Sequence, residues 1–156
     1  MKSTPQIVSV LNVLLADELT AISEYMVHSE MCANWGYARL HQATEKRAQD
    51  EMKHAEQLIR RILFLEGMPM VYKLNELHIG TDVAAQLKND DAAESEAIKK
   101  YNNAISQAVE LDDNGTRELL ASILKEEEAH IDWLESQIDQ ITQMGLQNYL
   151  AEQLRS

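Results

Sequence analysis

The sequence predicts an all-α protein, a four-helix bundle in which one long crossover joins the second helix to the third. Two observations predict it. Apolar residues recur every three or four positions along four long stretches, and only 5 glycines and 2 prolines interrupt the 156 residues. The connection between the second and third stretches is long enough to run the length of a bundle, whereas the other connections are short turns.

Start and stop signals mark each predicted helix. Thr4 offers a capping hydroxyl at the start of the first helix, and Gly67 stops the second. Thr81 or Asp82 can cap the third helix after the long connection of residues 68–82. We therefore expect a single domain over residues 1–156, with helices at about 5–35, 37–66, 83–111 and 116–144, a turn cluster at 112–115, and a short fifth helix at 146–154.

The composition excludes some functions and favours one compartment. Acidic residues outnumber basic ones by 26 to 14, which gives a formal net charge of −12. That charge disfavours sequence-independent binding to nucleic acid, because cationic side chains supply most of its affinity. Cys32 is the only cysteine, so no intrachain disulfide is possible. Neither a leader-like N-terminus nor an apolar run of membrane-spanning length is recognisable, so we expect a soluble, cytoplasmic protein.

Each apolar stripe carries a glutamate near its middle. These glutamates are Glu18, Glu51, Glu94 and Glu127, and His54 and His130 follow the second and the fourth by three residues. Residues three or four apart share a helix face, so these polar groups point into the predicted core. Four buried carboxylates need compensating positive charge, which a pair of divalent metal ions would supply. Oxygen-rich ligation with one imidazole per metal suits iron or manganese, and zinc could also occupy it.

The candidate ligands recur at one constant separation along the chain, the separation between Glu18 and Glu94. This separation, the repeat offset, also relates Glu51 to Glu127, His54 to His130, and Tyr25 to Tyr101. A single Glu-x-x-His on a helix is a weak signal, because such pairs are common on surfaces. The matched pair on apolar stripes instead indicates a duplicated helical hairpin with a two-fold centre, which gives two metals near-equivalent environments.

Longer motifs identify a family. Residues 17–19 read Asp-Glu-Leu, residues 50–55 read Asp-Glu-Met-Lys-His-Ala, residues 130–135 read His-Ile-Asp-Trp-Leu-Glu, and residues 144–150 read Met-Gly-Leu-Gln-Asn-Tyr-Leu. With these motifs the chain closely resembles bacterioferritin, the haem-containing branch of the ferritins, over essentially its whole length. The resemblance implies a ferritin-like bundle in a shell of 24 identical subunits built from two-fold dimers. It also implies iron storage, with oxidation of Fe(II) by O₂ or peroxide and a ferric mineral inside the shell.

The resemblance further implies a role for each residue of the centre. Its ligands would fall into three classes: terminal ligands of one iron (Glu18, His54), terminal ligands of the other (Glu94, His130) and bridging ligands (Glu51, Glu127). Tyr25 would stand beside the centre as a hydrogen-bonding or redox-active neighbour. These seven residues make up the predicted catalytic set of a ferroxidase.

A second cofactor follows from the resemblance alone. Met52 and its two-fold copy would ligate a haem b shared between two subunits. Met52 lies one residue after Glu51, so its side chain turns about 100° away from the bundle interior. Leu19, Ile22 and Met26 could line the haem pocket, or they could be plain interface residues.

The chain departs from the family around residues 45–50. Lys46 stands where members often carry a histidine that holds iron on the inner surface together with an aspartate, here Asp50, and Arg47 adds a second positive charge. An inner-surface iron site is therefore not expected. Glu45 and Gln49 make the helix face near the predicted haem ligand polar.

Two other functions and the route of iron are left open by the sequence. A rubrerythrin-like di-iron peroxide reductase would use a similar centre without mineral storage, although such proteins typically add a domain with paired cysteines. A DNA-binding mini-ferritin would hold its metal between subunits and often carries basic tails. Iron would reach the centre through acidic subunit junctions, for which Asp132, Glu135 and Glu66 are candidates, while Asn148 would border a four-fold axis. A ferredoxin-type partner would reduce the mineral through the haem.

Overall fold

The protein is a bundle of four long helices with a short fifth helix. The computed structural model describes residues 1–2 and 5–155, and within that range it contains no strand. The helices are α1 (Pro5–Trp35), α2 (Ala38–Phe64), α3 (Val83–Glu110), α4 (Asn114–Met144) and α5 (Leu146–Glu152). The predicted fold class, all-α with one long crossover and a short C-terminal helix, is confirmed. The predicted cap Thr4 lies outside the described residues.

The connections decide how the helices pair. Short turns join α1 to α2 and α3 to α4, so each pair packs as an antiparallel hairpin, and α1 also packs against α3. The crossover, residues 65–82, starts where Gly67 lies against Val8 and ends near Gln86, which is bonded to Cys32 at the other end of α1. It therefore runs along nearly the full length of the first helix.

Two apolar clusters fill the ends of the bundle. One combines the N-terminal half of α1 with the C-terminal half of α2 and parts of α3 and α4, and it includes Leu11, Leu58 and Ile123. The other lies where α5 docks and includes Leu40, Leu134 and the fully buried Tyr149. The polar residues singled out from the sequence fall between these two clusters, so an apolar layer closes the site on both sides.

Three helix boundaries differ from the prediction by two residues; α5 ends at Glu152 instead of residue 154, and the other two have local reasons. Helix α2 ends at Phe64 instead of residue 66, because Glu66 adopts a left-handed conformation with φ of 62°. Gly67 is needed for close approach, since a Cβ there would lie 2.6 Å from Val8 Cγ1. Helix α4 begins at Asn114 inside the predicted turn, because the Asp113 side chain accepts the Thr116 N–H at 3.0 Å and caps the helix.

Helix α1 is the most apolar of the four long helices. Of the described helices, it alone is long and apolar enough, by length and composition, to cross a membrane. Its buried face carries Glu18, Glu24 and His28 and packs on α2 and α3. A helix in the core of a bundle passes the same length and composition test.

Candidate metal centre

Six polar side chains from four helices meet in the middle of the bundle. They are Glu18 on α1, Glu51 and His54 on α2, Glu94 on α3, and Glu127 and His130 on α4. Five of them are at most 2% exposed, and His130 is 7% exposed. Each sits on the apolar stripe of its helix, so the packing that closes the bundle also brings the six together.

The donor atoms form two groups of four. Glu18 and His54 belong to one group and Glu94 and His130 to the other, while Glu51 and Glu127 belong to both. Within each group the candidate ligand atoms lie within 4.8 Å of one another. Two groups that share two carboxylates have the connectivity of a dinuclear site with two bridges.

The distances are short enough for common ligation. His54 Nδ1 lies 2.8 Å from Glu127 Oε1 and 3.5 Å from Glu18 Oε2. His130 Nδ1 lies 2.9 Å from Glu51 Oε1 and 3.4 Å from Glu94 Oε1. Both imidazoles thus turn the same nitrogen toward the centre.

Each of the six residues has one buried atom without a hydrogen-bond partner among the described residues. The atoms are Glu18 Oε2, Glu51 Oε1, His54 Nδ1, Glu94 Oε2, Glu127 Oε1 and His130 Nδ1. A buried polar atom without a partner costs roughly 1–3 kcal/mol, and charged groups cost more. Six such atoms facing one another need a ligand that satisfies all of them at once. Two metal ions fit that requirement, and the oxygen and imidazole donor set fits iron.

The titration behaviour shows how crowded the carboxylates are. Burial, with the charge of Glu51 beside it, holds the pKa of Glu18 well above its ordinary value. Burial likewise raises the pKa of Glu127, and the carboxyl group of Glu94 beside it adds to the effect. Burial alone would lower the pKa of His130, but the neighbouring carboxylates of Glu51 and Glu94 raise it to about 10. Metal binding would therefore displace protons held at the centre.

Two further carboxylates hold the outward nitrogens of the histidines. His130 Nε2 lies 3.0 Å from Asp50 Oδ2, and His54 Nε2 bonds Glu126. A carboxylate on the far nitrogen fixes the ring orientation and directs the other nitrogen to the metal. The sequence contained the signal for this pair, because Glu126 follows Asp50 by the repeat offset. Asp50 had been considered only for an inner-surface site, where Lys46 now pairs with it.

Two buried tyrosines donate to the terminal glutamates. The Tyr25 hydroxyl donates to Glu94, and the Tyr101 hydroxyl donates to Glu18 at 2.6 Å. Each tyrosine therefore bonds the glutamate of the opposite half, and both rings are fully buried. The repeat offset had marked both tyrosines, but only Tyr25 was included in the predicted site.

Arg47 lies in the interior of the bundle and does not add its charge at the surface beside Lys46. It is 5% exposed and pairs with Asp90 at 3.1 Å, and His28 Nδ1 lies 3.0 Å from the other oxygen of Asp90. The spacing could have predicted this, because Arg47, Glu51 and His54 share one face of α2.

The remaining predicted residues lie at the surface. Met52 is 53% exposed on the outer side of α2, close to the exposed Glu45 and Gln49 in sequence. Leu19 and Ile22 are half-buried, and Met26 is exposed. The candidates for iron access and the four-fold axis are also exposed: Glu66, Asp132, Glu135 and Asn148.

A cavity of about 560 Å³ reaches the centre from the side of the crossover. Its inner wall includes all four glutamates of the centre. At its other side lie the exposed residues Asn75, Glu76 and Lys100, and Lys100 pairs with Asp17 at 3.0 Å. The centre is therefore reachable within a single subunit.

Comparisons with known proteins agree over nearly the whole chain. The model of the ferritin-like domain family matches residues 8–144. A bacterioferritin of Mycolicibacterium paratuberculosis is 38% identical over 152 residues, which span 97% of this chain and 96% of that protein. A bacterioferritin of Rhodobacter capsulatus is 38% identical over 96% of this chain and 92% of its own length, and a bacterial ferritin of Paramagnetospirillum magnetotacticum is 40% identical over 96% and 93%. With a matching fold and a centre of buried carboxylates and histidines, the chain belongs to the bacterioferritin family of ferritin-like proteins.

Proposed function

We propose that this protein is a ferroxidase that stores iron: it oxidises Fe(II) at the dinuclear centre and keeps the ferric product as a mineral inside a shell of 24 subunits. The family to which the chain belongs supports iron storage. One observation carries the chemistry to this chain: all six candidate ligands have a buried atom without a hydrogen-bond partner, and those atoms form two groups that share two carboxylates.

Iron is the substrate at this centre. Glu18 and His54 are terminal ligands of one Fe(II), Glu94 and His130 are terminal ligands of the other, and Glu51 and Glu127 bridge them. The two Fe(II) lose one electron each, and O₂ takes up both electrons with two protons to give hydrogen peroxide. When peroxide is the oxidant, the same two electrons and two protons reduce it to two water molecules.

The surrounding residues orient the ligands and exclude water. Asp50 and Glu126 hold the outward nitrogens of the histidines, so Nδ1 of each ring faces the iron. Tyr25 and Tyr101 restrain the terminal glutamates by donating hydrogen bonds to them. The apolar clusters close the centre toward both ends of the bundle, and burial strengthens the electrostatic attraction of the carboxylates for the cations.

Haem b is a proposed cofactor, and the chain offers one ligand for it. Met52 presents a thioether on the outer face of α2, half-exposed, so the Met52 side chains of two copies would hold a haem b between them. Bound haem would supply a one-electron redox group for release of the mineral by a ferredoxin-type donor. Reconstitution should give a bis-methionine spectrum, which Met52→Leu abolishes and Met26→Leu preserves. An unchanged spectrum in Met52→Leu would overturn the assignment.

The compartment and the route of Fe(II) to the centre are also part of the proposal. We propose that the protein works in the cytoplasm, consistent with a single, buried cysteine. Fe(II) reaches the centre through acidic subunit junctions, for which Glu66, Asp132 and Glu135 are the exposed candidates, or through the cavity beside the crossover.

The rubrerythrin-like alternative is not favoured, because the relatives that match nearly the whole chain are bacterioferritins.

The experiment that tests the proposal combines size and iron uptake. Size-exclusion chromatography of the metal-free protein should give a very large shell. Addition of Fe(II) in air should then give rapid oxidation of about two Fe(II) per subunit, followed by slower uptake of many more. A small oligomer that stops at about two Fe(II) per subunit would rule out storage and favour the peroxide reductase.

A further inference from the structure

Arg47 is a buried cation that touches all the other long helices. From α2, its guanidinium lies 4.4 Å above the ring of Tyr25 on α1 and 5.1 Å from the ring of Trp133 on α4. Its Nη2 pairs with Asp90 on α3 at 3.1 Å. Its Nε and Nη1 have no hydrogen-bond partner among the described residues, and the guanidinium packs against the rings of Tyr25 and Trp133. A planar guanidinium stacks well on aromatic faces.

This arrangement exists on one side of the centre only. The positions related to Arg47, Asp90 and His28 by the repeat offset are Ile123, Leu14 and Ala104, and all three are apolar and buried. Tyr101 is thus surrounded by apolar packing, whereas Tyr25 has a cation against its ring. The ligands are duplicated, but Arg47 is not.

A chain of contacts links Arg47 to one half of the centre. The guanidinium holds the Tyr25 ring, and the Tyr25 hydroxyl donates to Glu94. The Glu94 carboxylate is a candidate ligand in the same group as His130 and is absent from the group with His54. Fixing the ring therefore fixes the direction from which Glu94 receives its hydrogen bond. The other half has no contact of this kind with Arg47.

We propose that Arg47 is a positioning residue: through Tyr25 it orients Glu94 and so strengthens metal binding at the Glu94–His130 position, but not at the Glu18–His54 position. The inference rests on the proposed function, because it assigns metal ligation to both positions. It adds that the two positions are unequal despite their matching ligands. Removing a residue that orients a metal ligand typically costs about 10- to 100-fold in affinity.

Arg47→Met tests the inference, because it keeps an unbranched apolar side chain and removes the planar cation. Co(II) is the probe, titrated by its visible absorption into protein in which one position is disabled. In a His54→Ala background, which keeps the Glu94–His130 position, Arg47→Met should weaken Co(II) binding about 10-fold. In a His130→Ala background the same change should leave the affinity unaltered. Equal losses in the two backgrounds would overturn the inference.

A double-mutant cycle asks whether the effect passes through Tyr25. Tyr25→Phe alone, in the His54→Ala background, should weaken Co(II) binding to a similar extent, and adding Arg47→Met to it should weaken binding little further. A full further loss would mean that Arg47 does not act through the Tyr25 hydroxyl. Tighter binding in Arg47→Met would mean that its charge repels the metal, and this also contradicts the inference.

Two controls separate folding from positioning. Arg61→Met removes another arginine of α2, which pairs with Asp113 at 2.8 Å far from the centre, and it should leave Co(II) binding unchanged. If Arg47→Met does not fold, Arg47→Lys keeps the charge without the planar group and should weaken the Glu94–His130 position in the same direction. If the wild type binds no Co(II), the proposed function fails; if it binds two per subunit and the variants do not differ, only the inference fails.

Discussion

The two halves of the bundle provide the same ligands in different surroundings. In each half a glutamate, a Glu-x-x-His pair and a tyrosine occupy corresponding positions, related by the repeat offset. Around Tyr101 the neighbours are apolar, as Ala104 and Ile123 illustrate, whereas around Tyr25 they include the ion pair of Arg47 and Asp90. Binding of two metal ions would constrain only the proposed ligands, and it would leave the packing behind them free to differ.

The single crossover accounts for the polar half. Its backbone N–H groups need acceptors, and it lies along one side of the bundle only. Glu24 accepts the His78 N–H at 2.8 Å, and His28 Nε2 accepts the Gly80 N–H at 2.9 Å. His28 Nδ1 in turn lies 3.0 Å from Asp90 Oδ1, and Asp90 pairs with Arg47. The polar network therefore begins at the loop and ends at the metal centre.

The largest effects are expected where the halves are alike. Glu18→Ala and Glu94→Ala should each slow the fast phase of Fe(II) oxidation at least about 100-fold. Loss of a metal ligand should reduce activity at least as much as loss of a residue that only hydrogen-bonds a ligand. Stopped-flow absorbance measures both rates, and Glu96→Ala, at an exposed position near Glu94, is the control. If one variant kept most of the wild-type rate, the centre would not be two-fold.

Stability should respond more strongly in the polar half when one charge is removed. Asp90→Ala leaves Arg47 buried without its partner and should lower the free energy of unfolding by about 3–5 kcal/mol. Replacing both, as Arg47→Ile with Asp90→Leu, leaves no lone charge and should cost less than the single change. Denaturant unfolding of the metal-free protein at one fixed subunit concentration measures the free energy of unfolding of the single and the double variant. A single variant that lost under about 1 kcal/mol would show that the pair is not effectively buried.

The tyrosine hydroxyls should contribute similarly in the two halves. Tyr25→Phe and Tyr101→Phe each remove one hydrogen bond to a buried carboxyl group, so each should lower the free energy of unfolding by about 1–2 kcal/mol. Both rings stay in place, so the stacking on Arg47 persists in the first variant. A loss in Tyr101→Phe alone would mean that the Tyr25 hydroxyl does not bond Glu94 in solution.

A further effect is a pH dependence contributed by Glu24, which has no counterpart at the corresponding position of the other half. Burial raises the pKa of Glu24 from 4.5 to about 7, so the folded protein holds this proton more tightly than the unfolded chain does. Stability contributed by this group is therefore full below pH 4.5 and falls as the pH rises toward 7. Glu24→Gln keeps an acceptor for His78 and removes the titration, so the stability of the wild type relative to the variant should fall across that window.

The position that the repeat offset relates to Glu24 supplies the control. It is Lys100, which is 45% exposed and pairs with Asp17 at the surface. Lys100→Gln should change stability by less than about 1 kcal/mol, with no trend between pH 4.5 and 7. A constant difference between the wild type and Glu24→Gln across the window would contradict the account of Glu24.

The sequence predicted the duplicated part of the molecule better than the unique part. Glu18 and Glu127 stood out because a carboxylate on an apolar stripe is unexpected, and the repeat confirmed the pairing of the stripes. Arg47 was considered only as a second positive charge beside Lys46, although its spacing from Glu51 put it on the buried face. Which residues form an ion pair across a bundle depends on how helices far apart in the sequence pack. The repeat did not mark Asp90 either, because Leu14 occupies the corresponding position.

Local backbone geometry was the other part that the sequence did not provide. Gly67 was expected to end α2, yet the left-handed residue is Glu66, and the glycine serves the contact with Val8. The need for a small residue at that point arises from the packing of α1 against the crossover. Such a contact between segments far apart in the sequence leaves no pattern within either of them.

The presence of two metal ions between the six ligands is the central claim, and anomalous diffraction tests it most directly. Crystals of the protein soaked anaerobically in Fe(II) should show two peaks per subunit, measured on either side of the iron absorption edge. One peak should contact Glu18 and His54, the other Glu94 and His130, and both should contact Glu51 and Glu127. A single peak, or no peak among these side chains, would contradict the account.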